Sequence, residues 1–217
     1  MMNAFPVGLD IYTSKPYCVD FTKTTTSLLL YGDESSASET VINETLALLP
    51  EIKAVFDPAK KLSRKVQGRL ITAEKIEKYV MSLWQTAQER ATILRNSKNN
   101  GTAEESFEDY YILICEYAAV LDVLSDEAAQ YLGAMICGLN EKFCIHFIIS
   151  ARTEDCERLK REEALLHALP FKNGILVGGS ESAEEFFGIP KNDLKEREKD
   201  RGICVSDNKT HRVMFIT

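Results

Sequence analysis

The stretch that most constrains this chain is Ser27 to Leu49, SLLLYGDESSASETVINETLALL, because it reads as strand, short polar loop and helix in direct succession. The apolar run reaches Gly32, and an apolar-periodic helix is expected from about Ala37. A strand that feeds a helix after so short a loop belongs to a crossover unit, whose next strand runs parallel to the first. The rest of the chain repeats this alternation. Strands are predicted at Leu28–Tyr31, Ile52–Phe56, Tyr110–Cys115, Cys144–Ser150 and Gly174–Val177, after a lead-in of extended pieces between Phe5 and Phe21. Ile76, Tyr79, Val80, Leu83, Trp84, Ala87, Ala91 and Leu94 follow helical spacing and predict a long amphipathic helix over about Thr72–Asn96. Ser125 with Asp126 and Glu127 opens another helix ending near Gly138, and a third is expected over Glu154–Ala168. Ser97–Glu108 and the mixed-charge run Lys191–Arg201 read as polar surface segments. The expected fold is an α/β three-layer domain with a mainly parallel central sheet and helices on both faces.

The loop after Gly32 has the layout of a phosphate-binding loop without its chemistry. A working loop reads G-x-x-x-x-G-K-[ST]: backbone amides wrap the phosphates, the lysine neutralises them and the hydroxyl holds magnesium. Here Gly32 is followed by Asp33, Glu34, Ser35 and Ser36, and the last three motif positions hold Ala37, Ser38 and Glu39. A triphosphate would meet three carboxylates and no cation. One like-charge contact near 4 Å costs about 4 kcal/mol at an intermediate effective dielectric, more than a few amide hydrogen bonds return. Ser36-Ala37-Ser38-Glu39 also fits a capping box, in which Ser36 and Glu39 satisfy the helix amides that a phosphate would otherwise take.

Composition narrows the partners. At 217 residues and 45% hydrophobic content the chain has the length for one well-buried domain, and its net charge of −7 argues against a general polyanion-binding surface. Nucleic acid is therefore not an expected partner. The six cysteines, at 18, 115, 137, 144, 156 and 204, include no C-x-x-C pair, and His146, His167 and His211 add no metal-ligand spacing. Free buried thiols in a reducing compartment are the simpler reading. No apolar run approaches the ~20 residues of a membrane span, and the amino terminus lacks signal-peptide character. A soluble, cytoplasmic domain is expected.

A second segment carries more chemistry. Asp109-Tyr-Tyr-Ile-Leu-Ile-Cys-Glu-Tyr-Ala-Ala-Val-Leu121 has the shape of a Walker B strand, an apolar run that ends in Asp-Glu. In that motif the aspartate orients magnesium and the glutamate polarises the attacking water. Here Cys115 stands at the aspartate position and Glu116 is kept.

With these two segments in order, the chain resembles the FtsK/SpoIIIE group of RecA-like P-loop ATPases. The likeness is closest to the last, degenerate ATPase domain of EssC-type proteins of type VII secretion. Pro6-Val7-Gly8-Leu9-Asp10 is similar to the family's lead-in strand, and Gln88-Glu89-Arg90 to its E-x-x-R-type stretch. Gly138–Arg152, GLNEKFCIHFIISAR, resembles a later segment in which Ile145 and His146 match, with Arg152 where a sensor-like glutamine is common. Phe171–Gly179, FKNGILVGG, is similar to the strand reading K-x-G-I-L-L-G-G. The resemblance covers nearly all of 1–217 as a single domain, with 1–26 as its lead-in.

The resemblance implies a RecA-like fold, ATP and magnesium in the parent family, and an anchor to the cytoplasmic face of the membrane through upstream segments only. It implies neighbouring ATPase domains of the same motor and secreted small helical proteins as partners. Because the loop and the Walker B aspartate are altered together, no cofactor is expected here. The favoured function is a non-hydrolysing ATPase-like domain acting in substrate recognition or regulation of export; an active secretion ATPase and a DNA translocase are the alternatives. Glu116, at the catalytic position, then has a structural or relict role. Arg152 is either a phosphate sensor or an ion-pair partner of Glu154, Asp155 or Glu116. His146 reads as a hydrogen-bonded core histidine, and Phe186-Phe187-Gly-Ile-Pro190 as core packing or, alternatively, an exposed aromatic contact for a peptide.

Overall fold

The computed structural model describes residues 4–20, 27–32, 52–62, 68–102, 106–159, 161–162, 173–177, 183–190, 201–206 and 209–215. The loop from Asp33 to Glu39 and its proposed Ser36–Glu39 cap, the helix expected from Ala37, and most of the Lys191–Arg201 run lie outside the described residues.

Among the described residues ten strands form one sheet: β1 Ala4–Asp10, β2 Pro16–Asp20, β3 Ser27–Gly32, β4 Ile52–Phe56, β5 Gly68–Ile71, β6 Tyr110–Ile114, β7 Ile145–Arg152, β8 Asn173–Val177, β9 Arg201–Ser206 and β10 Lys209–Phe215. Their order is β2-β1-β10-β9-β8-β3-β7-β6-β4-β5. The six strands from β8 to β5 are parallel to one another, while β9, β10, β1 and β2 extend the sheet as an antiparallel wing. The mixed α/β fold with a mainly parallel sheet agrees with the sequence. The wing does not follow from it, since the lead-in pieces pair through β1 with the carboxyl-terminal hairpin.

The central strands are continuous apolar runs because both of their faces are covered. Every residue of β3 is buried, as is β7 up to Ala151. Alternate side chains divide between two cores. Leu29, Tyr31, Phe56, Ile112, Ile114, Phe147 and Ile149 face one of them, packed with residues of helices α1 (Ala73–Asn100), α2 (Tyr117–Leu121) and α3 (Asp126–Gly138). Leu28, Leu30, Val55, Leu113, Cys115, Ile148 and Val177 face the other.

Helix α1 buries Ile76, Val80, Leu83 and Ala87, the spacing that predicted it, but continues to Asn100. It stops there because Gly101, at φ 63°, takes the left-handed conformation that closes a helix, its N–H bonded to the carbonyls of Ser97 and Lys98. Ser125 caps α3 by accepting from the Ala128 N–H, with Asp126 and Glu127 in the first turn. Of the third expected helix, residues 160 and 163–168 lie outside the described residues. A 3-10 turn at Thr153–Asp155 leads into α4 (Cys156–Leu159), and the following Arg161 and Glu162 amides bond back three residues, to Arg158 and Leu159. Cys115 and Cys144, expected inside strands, lie just outside them; Cys144, at φ 51°, ends a 3-10 turn before β7. Among the described residues no helix is long and apolar enough to cross a membrane.

Candidate functional site

The carboxyl ends of β3, β7, β6 and β4 meet at one edge. From β3 the next strand, β4, lies beyond β7; from β7 the next strand, β8, lies beyond β3. The order reverses between them, and in open α/β sheets ligands bind in the crevice beyond such a switch point. Gly32 pairs with Arg152 across β3 and β7, and Ile114, paired with Ile149 on one side and Phe56 on the other, brings Cys115 and Glu116 to the same edge.

Glu116 is held from two directions by β7. Its backbone N–H donates to Ser150 Oγ at 2.9 Å, and its carboxylate forms an ion pair with the Arg152 guanidinium. Ser150 and Arg152, two apart on a strand, project to the same side. Both side chains of the pair are largely buried, 15% exposed for Glu116 and 18% for Arg152. Glu116 also carries φ 53° and ψ 82°, a left-handed conformation that costs a non-glycine residue about 1–3 kcal/mol and persists only when its surroundings over-determine it. The sequence offered Glu154, Asp155 and Glu116 as partners for Arg152; the structure selects Glu116.

Cys115 is 3% exposed, and its amide donates to the Phe56 carbonyl at 2.8 Å. Burial pushes its thiol well above the ordinary range, and the carboxylates of Asp57 and Glu116 push it further. It is therefore a protonated, neutral group at neutral pH. Asp57, one residue beyond β4, accepts from the backbone amides of Lys61 and Leu62 at 2.9 and 3.1 Å and so ties down its own loop. Among the described residues no group of three or more His, Cys, Asp or Glu side chains is arranged to hold a metal.

Two of these residues, Ser150 and Asp57, were not singled out from the sequence. The signals were faint but physical: Ser150 is a hydroxyl within an apolar run, and Asp57 is a carboxylate placed directly after one.

The other candidates lie elsewhere. Arg90, 7% exposed, donates to the carbonyls of Phe143, Cys144 and Glu108, and its guanidinium stacks 4.8 Å from the Phe107 ring and 4.6 Å from that of Tyr110. It fixes α1 to the segments entering β6 and β7, at the amino ends of the strands. His146 sits at the same end, bonded through Nε2 to Asp109 at 3.1 Å and stacked on Tyr111, as a core histidine. The possible aromatic contact is not exposed: Phe186, Phe187 and Ile189 are buried. Helix α5 (Glu184–Phe187) sets the Phe187 ring where a Cβ on Gly174 would fall 1.9 Å from it, so β8 needs a glycine there.

No protein-family model matches the chain, and no curated protein does. Solved structures do. ATPases 2 and 3 of Thermomonospora curvata EccC, in complex with a signal sequence peptide, match with a TM-score of 0.73 at 14% identity, over 99% of this chain and 40% of that one. The fold is that of the EccC and EssC ATPase domains. ATPases 2 and 3 of EssC from Geobacillus thermodenitrificans match at 18% identity with a TM-score of 0.73, over 99% of this chain and 41% of theirs. The cytoplasmic domain of EssC gives 16% and 0.73, over 99% and 44%. The chain thus spans less than half the length of each of these structures.

Proposed function

We propose that this chain is a non-hydrolysing, ATPase-like domain of a type VII secretion motor, acting in recognition of exported proteins or in regulation of export. The observation that carries the reading is the state of Glu116. A glutamate that polarises water must present a free carboxylate to the reacting centre, and here Arg152 engages it while the neutral Cys115 thiol stands beside it in place of a magnesium-orienting aspartate. This pairing argues against a magnesium–triphosphate complex at the edge, and in the sequence the altered loop of Ala37, Ser38 and Glu39 adds charge of the wrong sign. A sheet and core kept intact around such a site leave surface recognition as the function to serve. The EccC structure that shares the fold was solved with a signal sequence peptide. This supports secreted proteins carrying such signals, together with neighbouring ATPase domains of the same motor, as the partner classes. Calorimetry with magnesium and ATP tests the reading. No saturable heat is expected at millimolar nucleotide, whereas a micromolar dissociation constant, about −8 kcal/mol of binding free energy, overturns it.

A further inference from the structure

We propose that β5 is an acceptor edge for an extended segment of a partner protein in which acidic and apolar residues alternate, added to the sheet as a further strand. Among the described residues the sheet ends at β5, with β4 as its neighbour. An end strand offers a row of backbone donors and acceptors to any chain that can lie beside it. Gly68, Arg69 and Leu70 are exposed, whereas Ile71 is buried. The strand is firmly seated: a Cβ on Gly68 would fall 2.7 Å from the Ile52 carbonyl oxygen, so the glycine lets β5 lie close against β4. Leu70, paired with Val55, is 62% exposed, more than any other large apolar side chain among the described residues except Tyr12. The opposite end of the sheet differs, since β2 starts at Pro16, a residue that cannot donate to a ladder and so blunts an edge.

The charge around β5 chooses the partner. From Pro58 to Ala73 the sequence has five cations and no carboxylate, in a chain of net charge −7. Lys60, Lys61 and Arg69, three of the five, are exposed, and none of them is in an ion pair among the described residues. Lys60 and Lys61 lie in the turn that Asp57 ties down after β4, beyond the end where Phe56 pairs with Ile71. The pleat sets the pattern: Ile71 belongs to the core packed by α1, so Arg69 is on that side of the sheet and Leu70 on the other. A strand laid beside β5 would set an acidic side chain against Arg69 and an apolar one against Leu70, both favourable cross-strand pairs. The same charge opposes pairing of β5 with its counterpart in a second copy.

This inference rests on the proposed function in giving the domain a recognition role, yet the two fail separately: ATP binding by the wild type would remove that reading without moving peptide binding at β5. The probe is a fluorescein-labelled peptide of alternating glutamate and valine, about eight residues long so that it spans the strand, titrated with the whole chain and followed by fluorescence anisotropy. Saturable binding is expected, about tenfold tighter than that of the matching lysine–valine peptide. Methylating the backbone nitrogens of the glutamate–valine peptide should abolish it, because an added strand is held through its backbone. Arg69→Glu should weaken the glutamate–valine peptide about tenfold and strengthen the lysine–valine one, and Leu70→Ser should weaken both, with circular dichroism to confirm folding. Should those variants not fold, the three peptides on the wild type decide. No saturable binding of the glutamate–valine peptide, equal binding of its methylated form, or an affinity unchanged in both folded variants overturns the proposal. Dimerisation of the wild type in sedimentation, lost in Leu70→Ser, would make the edge a contact between copies and overturn it as well.

Discussion

Two arginines stand at opposite ends of the parallel strands, and their surroundings differ in kind. At the amino ends, Arg90 spends its guanidinium on three backbone carbonyls and two aromatic rings. At the carboxyl ends, Arg152 meets the carboxylate of Glu116 on a strained residue. Carbonyls that begin two neighbouring strands are the same for any function, so the first arginine is a part of the fold. A carboxylate on a left-handed residue at the switch point is a group the fold alone does not require. The difference separates an arginine that anchors the fold from one paired with a carboxylate at the carboxyl edge of the sheet.

The comparison breaks first at Arg90. Replacing it with Met leaves three carbonyls without their charged donor in a buried place, and hydrogen bonds to charged groups contribute about 1.5–3 kcal/mol each. A loss of roughly 3–5 kcal/mol is expected in urea melts, with Arg90→Lys recovering only part because an ammonium cannot reproduce the planar fork. A loss below about 1 kcal/mol would show that Arg90 is no anchor.

Arg152 should cost less. The pair keeps some solvent access and the carboxylate can relax toward water, so Arg152→Ala is expected to lose about 1–3 kcal/mol, short of a fully buried pair. A double-mutant cycle with Glu116→Gln should give a coupling of roughly 1–2 kcal/mol. Zero coupling would mean that the contact is incidental.

The amino-terminal architecture was more legible in the sequence than the carboxyl-terminal site. Buried central strands show as apolar runs, and the α1 stripe of Ile76, Val80, Leu83 and Ala87 shows as periodicity, because burial acts on every residue of an element. The resemblance to EssC-type domains placed those elements in one fold. The antiparallel wing stayed hidden because long-range pairing such as that of Leu9 with Met214 leaves no local trace. Among three acidic candidates near Arg152 the sequence could not choose. Glu154 and Asp155 are neighbours in the chain but enter a 3-10 turn, whereas Glu116 is brought in by the register of β6 on β7. The exposed reading of Phe186–Pro190 failed because a short apolar cluster looks the same whether it faces water or core.

A third, smaller effect belongs to the amino end and is read by pH. Burial lowers the pKa of His146 below its ordinary value, outweighing the hydrogen bond and charge of Asp109 that raise it, and Arg90 lowers it slightly further. The folded state therefore binds the proton less readily than the unfolded one. Stability from this residue is complete above the unfolded value near 6.5, falls as pH drops below it, and levels off beneath the folded value, with a slope of at most about 1.4 kcal/mol per pH unit. His146→Gln should flatten the melting-temperature profile between pH 6.5 and the acid side; an unchanged slope would place the titrating group elsewhere.

The smallest expected effect tests whether burial, rather than mere pairing, sets the scale for these arginines. Arg158, on α4 just after β7, pairs closely with Asp122 at the end of α2, at 2.6 Å. Both side chains are open to water, 43% and 61% exposed. The hydrogen bond from Arg158 lowers the Asp122 pKa, so whatever the pair contributes is present above the ordinary carboxylate range and is lost as pH falls through the folded value. Exposed pairs recover little of their Coulomb energy after solvent screening and side-chain ordering, so Arg158→Ala should cost about 0.2–1 kcal/mol and fade further in 1 M salt. The Arg90 effect should change little with the same salt, because its acceptors are buried carbonyls. If Arg158→Ala destabilised the protein as much as Arg152→Ala, and did so at high salt, burial would not be the variable that ranks the three, and the contrast between the two ends of the sheet would have to rest on geometry alone.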